Sequence, residues 1–223
     1  MFGIWIPEFG ILRVTRYDIM QKHILISCIL TATVLSGCGK NMSIVNYPNE
    51  GGNIICFGDS LTRGQSAGKG NEYPAVLAGM VKRHVINAGV DGHTTGNGLS
   101  RIDRDVLAKD PYMVIIEFGA NDVFQDKPED ITMLNMELIV EKVQTAGAIS
   151  VIYNIGDGGG DAKYDIYSRQ MKELARETGS VYIGNLLKGI RNKPELTTDQ
   201  IHPNAEGYKI VADRVYRGIR DYL

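Results

Sequence analysis

The 223-residue chain is poor in the features that mark several functional classes. It has three cysteines, Cys28, Cys38 and Cys56, and only Cys56 falls in the body, so no disulfide framework is available there. No CxxC pair and no Cys/His cluster at zinc-ligand spacing occurs. Positive charge is not in excess: 24 Lys and Arg stand against 26 Asp and Glu, a formal net charge of -2. No basic run is interleaved with aromatics, which argues against a nucleic-acid partner. The apolar run Ile24 to Leu35 is about a dozen residues, too short to span a bilayer comfortably. There is no internal repeat, and the low-complexity tract Gly156-Asp157-Gly158-Gly159-Gly160 lacks the Lys and Ser/Thr of a phosphate cradle, so it reads as a loop.

What is present begins with an address. Residues 20–38 read as an export signal: a polar start at Gln21-Lys22-His23, the apolar run, then Leu35-Ser36-Gly37-Cys38. Small residues before a cysteine resemble the lipobox of bacterial lipoproteins. The resemblance implies cleavage before Cys38, lipidation of its thiol and a membrane anchor made of acyl chains. An uncleaved signal anchor and a plain signal peptide are the alternatives. Residues 1–19 fit no part of a signal and are expected to be an over-called leader, with Met20 as the initiator. Residues 39–52, with Pro48, Gly51 and Gly52, read as a tether. Gly39 stands where an aspartate would favour inner-membrane retention. The expected location is therefore the bacterial cell envelope, at the outer membrane, facing periplasm or exterior.

From Asn53 onward roughly 170 residues remain, enough for one core. Five short runs rich in β-branched or aromatic residues read as buried strands: Ile54–Phe57, Val85–Asn87, Met113–Phe118, Ile149–Tyr153 and Val181–Ile183. Between and after them lie amphipathic stripes. Pro74 to Arg83 opens with a helix-initiating proline. Leu99, Ile102, Val106 and Leu107 form one stripe, and Met136, Ile139, Val140 and Val143 another. Tyr167, Met171, Leu174 and Ala175 form a third, and Tyr208, Val211, Ala212, Val215 and Ile219 a fourth. Gly147 and Gly179 sit where helices stop. Repeated β-α units predict an α/β fold over residues 53–223. We expect a three-layer α/β/α sandwich with a flavodoxin-like five-stranded parallel sheet in order 2-1-3-4-5.

In such sheets ligands bind beyond the carboxyl ends of the strands. Strand 1 is followed by Gly58-Asp59-Ser60-Leu61-Thr62, and strand 2 by Ala88-Gly89-Val90-Asp91-Gly92-His93-Thr94. Strand 3 is followed by Gly119-Ala120-Asn121-Asp122, and strand 5, after a longer connection, by Asp199-Gln200-Ile201-His202-Pro203. Four polar, glycine-rich segments are thus expected on one rim. A serine there is a nucleophile if a base takes its proton, or a helix N-cap. Asp-x-x-His is a base with its orienting carboxylate, or a helix cap with an exposed histidine. Pro203 behind it is expected to start the last helix. Asn121 is a donor to developing negative charge, or a turn former.

These four segments, in identity, order and approximate spacing, resemble the blocks of SGNH (GDSL-type) serine hydrolases across essentially all of 53–223. Asn87-Ala88 through Thr94-Thr95 and Glu117 through Asp122 are similar to the bacterial arylesterase, acyl thioesterase and lysophospholipase branch in particular. The resemblance implies a catalytic Ser60, His202 as its base and Asp199 as the partner of His202. It implies an oxyanion hole from the Ser60 N–H, the Gly92 N–H and the Asn121 side chain, with Gly89 serving the turn. It implies hydrolysis of carboxylic esters or thioesters through an acyl-serine intermediate, with no cofactor and no metal. Carbohydrate O-deacetylation at the same site and a non-catalytic binding lipoprotein are the rival functions. The implied partners are a small-molecule or lipid ester and, through the anchor, a membrane; no protein partner is implied. The sequence departs from the branch after strand 4, where Tyr153-Asn154-Ile155 and the glycine run replace a proline- and tyrosine-containing segment of the substrate pocket.

Other polar residues have structural readings. His93 is expected at the rim or surface, His84 as structural, Asp59 and Asp122 bonded to their own turns, and Cys56 as a small buried hydrophobe. A metal site from Asp59, Asp122, Asp199 and His202 is conceivable but lacks a compact ligand motif.

Overall fold

The computed structural model describes residues 43–154 and 162–223. The leader, the signal with its lipobox Cys38, the start of the tether and the Gly156–Gly160 loop lie outside the described residues. In chain order the elements are β1 (Asn53–Gly58), α1 (Ser60–Arg63), α2 (Tyr73–Ala78), β2 (His84–Gly89), α3 (Thr95–Asp105), β3 (Pro111–Glu117), α4 (Ala120–Phe124), α5 (Glu129–Thr145), β4 (Ile149–Tyr153), α6 (Ala162–Thr178), β5 (Val181–Ile183) and α7 (Ala205–Ile219). The five strands form one parallel sheet in the expected order β2-β1-β3-β4-β5. Among the described residues no helix is long and apolar enough to cross a membrane.

The strands are apolar at nearly every position because both faces are covered. Side chains alternate across a strand, so each strand divides its residues between two cores. Ile54, Cys56, Met113, Ile115, Val151 and Ile183 pack on one face with α2 and α7. Ile55, Phe57, Val114, Ile116 and Ile152 pack on the other with α3, α5 and α6. The stripes read from the sequence are the buried sides of these helices: Met136, Ile139, Val140 and Val143 on α5, and Tyr208, Val211, Ala212, Val215 and Ile219 on α7. Helix α2 is shorter than its proline-initiated pattern suggests, because Gly79 closes it. Gly147 and Gly179 have positive φ of 82° and 64°, as helix-ending residues do.

Residues 43–52 are not a free tether. They lie across the amino-terminal edge of the sheet, opposite the rim that carries the polar segments. The Val45 N–H donates to Gly179 O, just before β5. The Asn46 amide donates to Gln144 O at 2.8 Å and Ala148 O at 3.0 Å, just before β4. The Asn49 amide reaches Tyr112 O in β3 at 3.1 Å, and Tyr47 packs edge-on against Tyr222. Carbonyls at strand starts that lack a ladder partner need a donor, and this segment supplies it. Composition alone misreads it because Pro48 and the glycine pair imitate a linker.

Asn46 also holds a left-handed backbone, φ 62°, which asparagine tolerates better than most residues. Asn46→Ala is therefore expected to lower unfolding stability by about 1–3 kcal/mol. Urea denaturation checks this, and an unchanged midpoint would show that the edge segment contributes nothing.

Candidate active site

All four polar segments do emerge at the carboxyl ends of the strands. The first turns directly from β1 into the one-turn helix α1. Asp59 caps it: its Oδ1 accepts from the Leu61 N–H at 2.9 Å. Ser60 is the first helical residue, so its own N–H faces outward without an intrahelical acceptor. Gly64 ends the turn in the left-handed region, φ 86°.

The Ser60 hydroxyl lies 3.0 Å from His202 Nε2. His202 Nδ1 lies 2.7 Å from Asp199 Oδ2. The other oxygen of Asp199 accepts from the backbone N–H groups of Ile201 and His202, each at 2.7 Å. One carboxylate thus closes the 199–202 turn and orients the ring within it. With Asp199 as acceptor, Nδ1 carries a proton and Nε2 turns its lone pair to the serine, the polarity needed to take a proton from Ser60. The expectation that Pro203 starts the last helix is not met. Pro203 forms an antiparallel bridge with Thr197, and Asn204 is the cap, its side chain accepting from the Glu206 and Gly207 N–H groups.

The second segment is tied to the first through His93, whose carbonyl accepts from the same Asn121 amide that reaches Asp59, the neighbour of Ser60. Gly92 has φ 73°, a conformation that excludes most side chains, although the space beside it is open. Among the described residues neither the Ser60 nor the Gly92 N–H has an acceptor. Gly89 contributes a close approach, not a turn: a Cβ there would lie 2.2 Å from the Arg63 backbone nitrogen.

Asn121 bridges the first two segments. Its Nδ2 donates to Asp59 Oδ2 at 2.8 Å and to His93 O at 3.1 Å. Both neighbours are acceptors, which fixes the amide's orientation. Asp122 does not bond its own turn. It accepts from Thr95 N at 2.9 Å, Thr95 Oγ1 at 2.6 Å and Thr132 Oγ1 at 3.2 Å, joining α3, α4 and α5. Asp122 is therefore occupied away from Asp199 and His202, and among the described residues no three His, Cys, Asp or Glu side chains could hold a metal ion. Cys56 is fully buried, and burial pushes its thiol up to about 12, so it is not a nucleophile at neutral pH.

Two residues were not singled out in the sequence. Glu117 ends β3 and is fully buried, accepting from Thr62 Oγ1 at 3.0 Å. Burial first, and the charge of Asp59 second, push its carboxyl well above the usual range. Burial likewise raises Asp59, against the Leu61 N–H and a hydrogen bond from Glu117. Two carboxyls in one dry pocket resist ionising together, so the pair favours sharing a proton, with Glu117 as its donor to Asp59. A lone carboxylate closing an apolar strand was the available signal. Arg101, buried on α3, is the second; its place next to Ile102 in the apolar stripe was the signal there.

Comparison with known proteins finds relatives of the chain and of its fold. A model of the GDSL-like lipase/acylhydrolase family matches residues 56–210. An arylesterase of Vibrio mimicus is 29% identical over 182 residues, covering 76% of this chain and 89% of the relative. The thioesterase 1/protease 1/lysophospholipase L1 of Escherichia coli K12 is 26% identical over 165 residues, covering 72% and 79%. The solved structure of the psychrotrophic esterase EstA of Pseudoalteromonas sp. shares the fold. Its TM-score is 0.69 at 24% identity, over 76% of this chain and 97% of that one.

Burial raises the Asp199 pKa, but the His202 and Ile201 N–H groups and the His202 ring outweigh it, bringing Asp199 from the usual 3.8 to about 2. A lowered folded-state value means that the turn adds stability above the ordinary carboxylate range and loses it as pH falls through about 2. Carboxyl-detected NMR titration is expected to place the Asp199 midpoint near 2; a midpoint at the usual value would show that the turn does not hold.

Proposed function

Because this chain belongs to the GDSL-like lipase/acylhydrolase family, whose members hydrolyse ester bonds, we propose that Ser60, His202 and Asp199 carry its acyl transfer and that its substrates are acyl esters or thioesters of the arylesterase, thioesterase and lysophospholipase kind. The observation that carries this reading is the chain of contacts from Ser60 Oγ to His202 Nε2 at 3.0 Å and from His202 Nδ1 to Asp199 Oδ2 at 2.7 Å.

Ser60 Oγ attacks the carbonyl carbon as His202 takes its proton. The carbonyl oxygen becomes an oxyanion held by the Ser60 and Gly92 N–H groups, neither of which has another acceptor among the described residues. The Asn121 amide joins them by sharing the longer of its two bonds, the one to His93 O. The tetrahedral centre collapses, the alcohol or thiol leaves with the proton from His202, and the acyl group remains on Ser60. Water then attacks, His202 takes its proton and returns it to Ser60 Oγ, and the acid departs. Each step uses only side-chain and backbone groups of this protein and water.

The acyl-directed reading of the substrate is supported by the names of the relatives and by exposed apolar side chains on two of the rim segments. Phe124, three residues after Asn121, is 56% exposed, and Val90 stands between Gly89 and Gly92. We further propose lipid anchoring at Cys38. It is supported by Leu35-Ser36-Gly37-Cys38, and by the entry of the chain into the body at the sheet edge opposite the rim. Metabolic labelling with palmitate, present in the native chain and absent in Cys38→Ala, checks it; equal labelling would refute it.

Ser60→Ala is expected to abolish hydrolysis of a p-nitrophenyl ester series with the fold intact. Asn121→Ala is expected to lower kcat by about 10²–10³. The chain-length optimum separates an acyl-lipid enzyme from a deacetylase, which would take only acetate. Retained activity in purified Ser60→Ala would refute the assignment.

A further inference from the structure

Arg101 is a buried cation in a place where an apolar side chain would close the core. It is 6% exposed. Its Nη2 donates to Gly58 O at 2.9 Å, and its Nη1 donates to Ala88 O at 2.8 Å and to Asp105 Oδ2 at 3.2 Å. Its Nε donates to His93 Nδ1 at 3.1 Å, and the guanidinium carbon stands 4.4 Å from the centre of the Phe57 ring. Desolvating a cation is costly, and among the described residues one partly exposed carboxylate, Asp105, is its only charged partner. The rest of the fork is spent on neutral acceptors, and these are not arbitrary.

Gly58 is the last residue of β1, immediately before the Asp59-Ser60 turn. Ala88 lies in β2, four residues before Gly92. His93 follows Gly92, and its carbonyl accepts the Asn121 amide. A single planar group therefore touches the root of the segment that carries Ser60 and both sides of the segment that carries Gly92. Guanidinium geometry is rigid, so these acceptors are held at fixed separations.

The contact with His93 also sets a tautomer. Arginine has no lone pair to offer, so Nδ1 must be the acceptor and the ring proton must sit on Nε2. Burial, then the charge of Arg101, push the His93 pKa down, which keeps the ring in this neutral form. The ring is thereby an arm of the clamp as well as a rim residue.

We propose that Arg101 is a positioning residue of the acyl-transfer site, fixing the Ser60 turn and the Gly92–His93 corner relative to one another and so setting the spacing of the oxyanion donors. This rests on the reading of the Ser60 and Gly92 N–H groups as those donors. A residue that only filled the core would affect unfolding and leave turnover per folded molecule untouched. A positioning residue affects turnover, because displacement of a preorganised donor by about 1 Å costs on the order of 10²-fold.

The test compares the full chain with Arg101→Lys, His93→Ala and Ser60→Ala. Reactive serines are counted by the burst with a p-nitrophenyl phosphonate. Lysine keeps the charge but cannot reach two carbonyls and a ring nitrogen together. In Arg101→Lys, kcat per reactive serine is expected to fall by roughly tenfold to a hundredfold. KM should stay nearly constant, and the ¹⁵N shifts of His93 should lose their Nε2–H signature. His93→Ala removes one arm alone and should show a smaller, several-fold fall in kcat. Unchanged kcat in folded Arg101→Lys overturns the proposal; if that variant does not fold, unchanged kcat in His93→Ala overturns it. Hydrolysis by the native chain that survives Ser60→Ala overturns instead the underlying reading of the site.

Discussion

Asp59 accepts from the Leu61 N–H with one oxygen and from the Asn121 amide with the other, and it hydrogen-bonds Glu117 beneath. Through this one buried side chain the turn that presents Ser60 is referred to the segments that follow β2 and β3. The arrangement carries an electrostatic cost, since two carboxyls share a dry pocket. They cannot both ionise cheaply, so burial raises both and leaves a proton between them. What the cost secures is direction. Asn121 cannot turn its oxygen inward without facing Asp59 and the His93 carbonyl.

The sheet divides labour between its two edges. At the amino edge, residues 43–52 supply donors to strand-start carbonyls and fasten the entering chain. At the carboxyl edge, loops carry groups that a packed core would exclude: a Gly92 N–H with no acceptor among the described residues, a helix start at Ser60 and a histidine on a short closed turn. The first edge is built for stability, and the second is held by a few polar side chains, Asp59, Arg101, Asp122 and Asp199. Each of these bonds across segments or closes one. The cores above and below the sheet keep those segments on a rigid base, which is what preorganised donors require.

Much of this was legible because it follows from periodicity and punctuation. Strands β4 and β5 match their apolar runs residue for residue, and three of the helical stripes are the buried faces of α5, α6 and α7; the stripe of Leu99, Ile102, Val106 and Leu107 outruns α3, which ends at Asp105 and buries Ile102. Ser60, Gly92, Asn121, Asp199 and His202 were each found in the polar segments after strands, and the fold brings those segments to one rim. What escaped depends on contacts between distant segments. Asp122 was expected to serve its own turn and instead reaches Thr95 and Thr132. Pro203 was expected to open a helix, but Asn204 is the better cap because its side chain accepts two N–H groups. Residues 43–52 have the composition of a linker and the hydrogen bonds of an edge. Glu117 and Arg101 are charged residues within apolar patterns, and only their partners explain why they are tolerated.

The central claim is that Ser60 is the nucleophile of an acyl-transfer site. It is tested most directly by treating the protein with a p-nitrophenyl phosphonate and mapping the adduct by peptide mass spectrometry. One adduct per chain is expected, on Ser60, formed in step with loss of esterase activity. Activity lost with the adduct on another residue, or an unmodified Ser60 in fully inhibited protein, would contradict it.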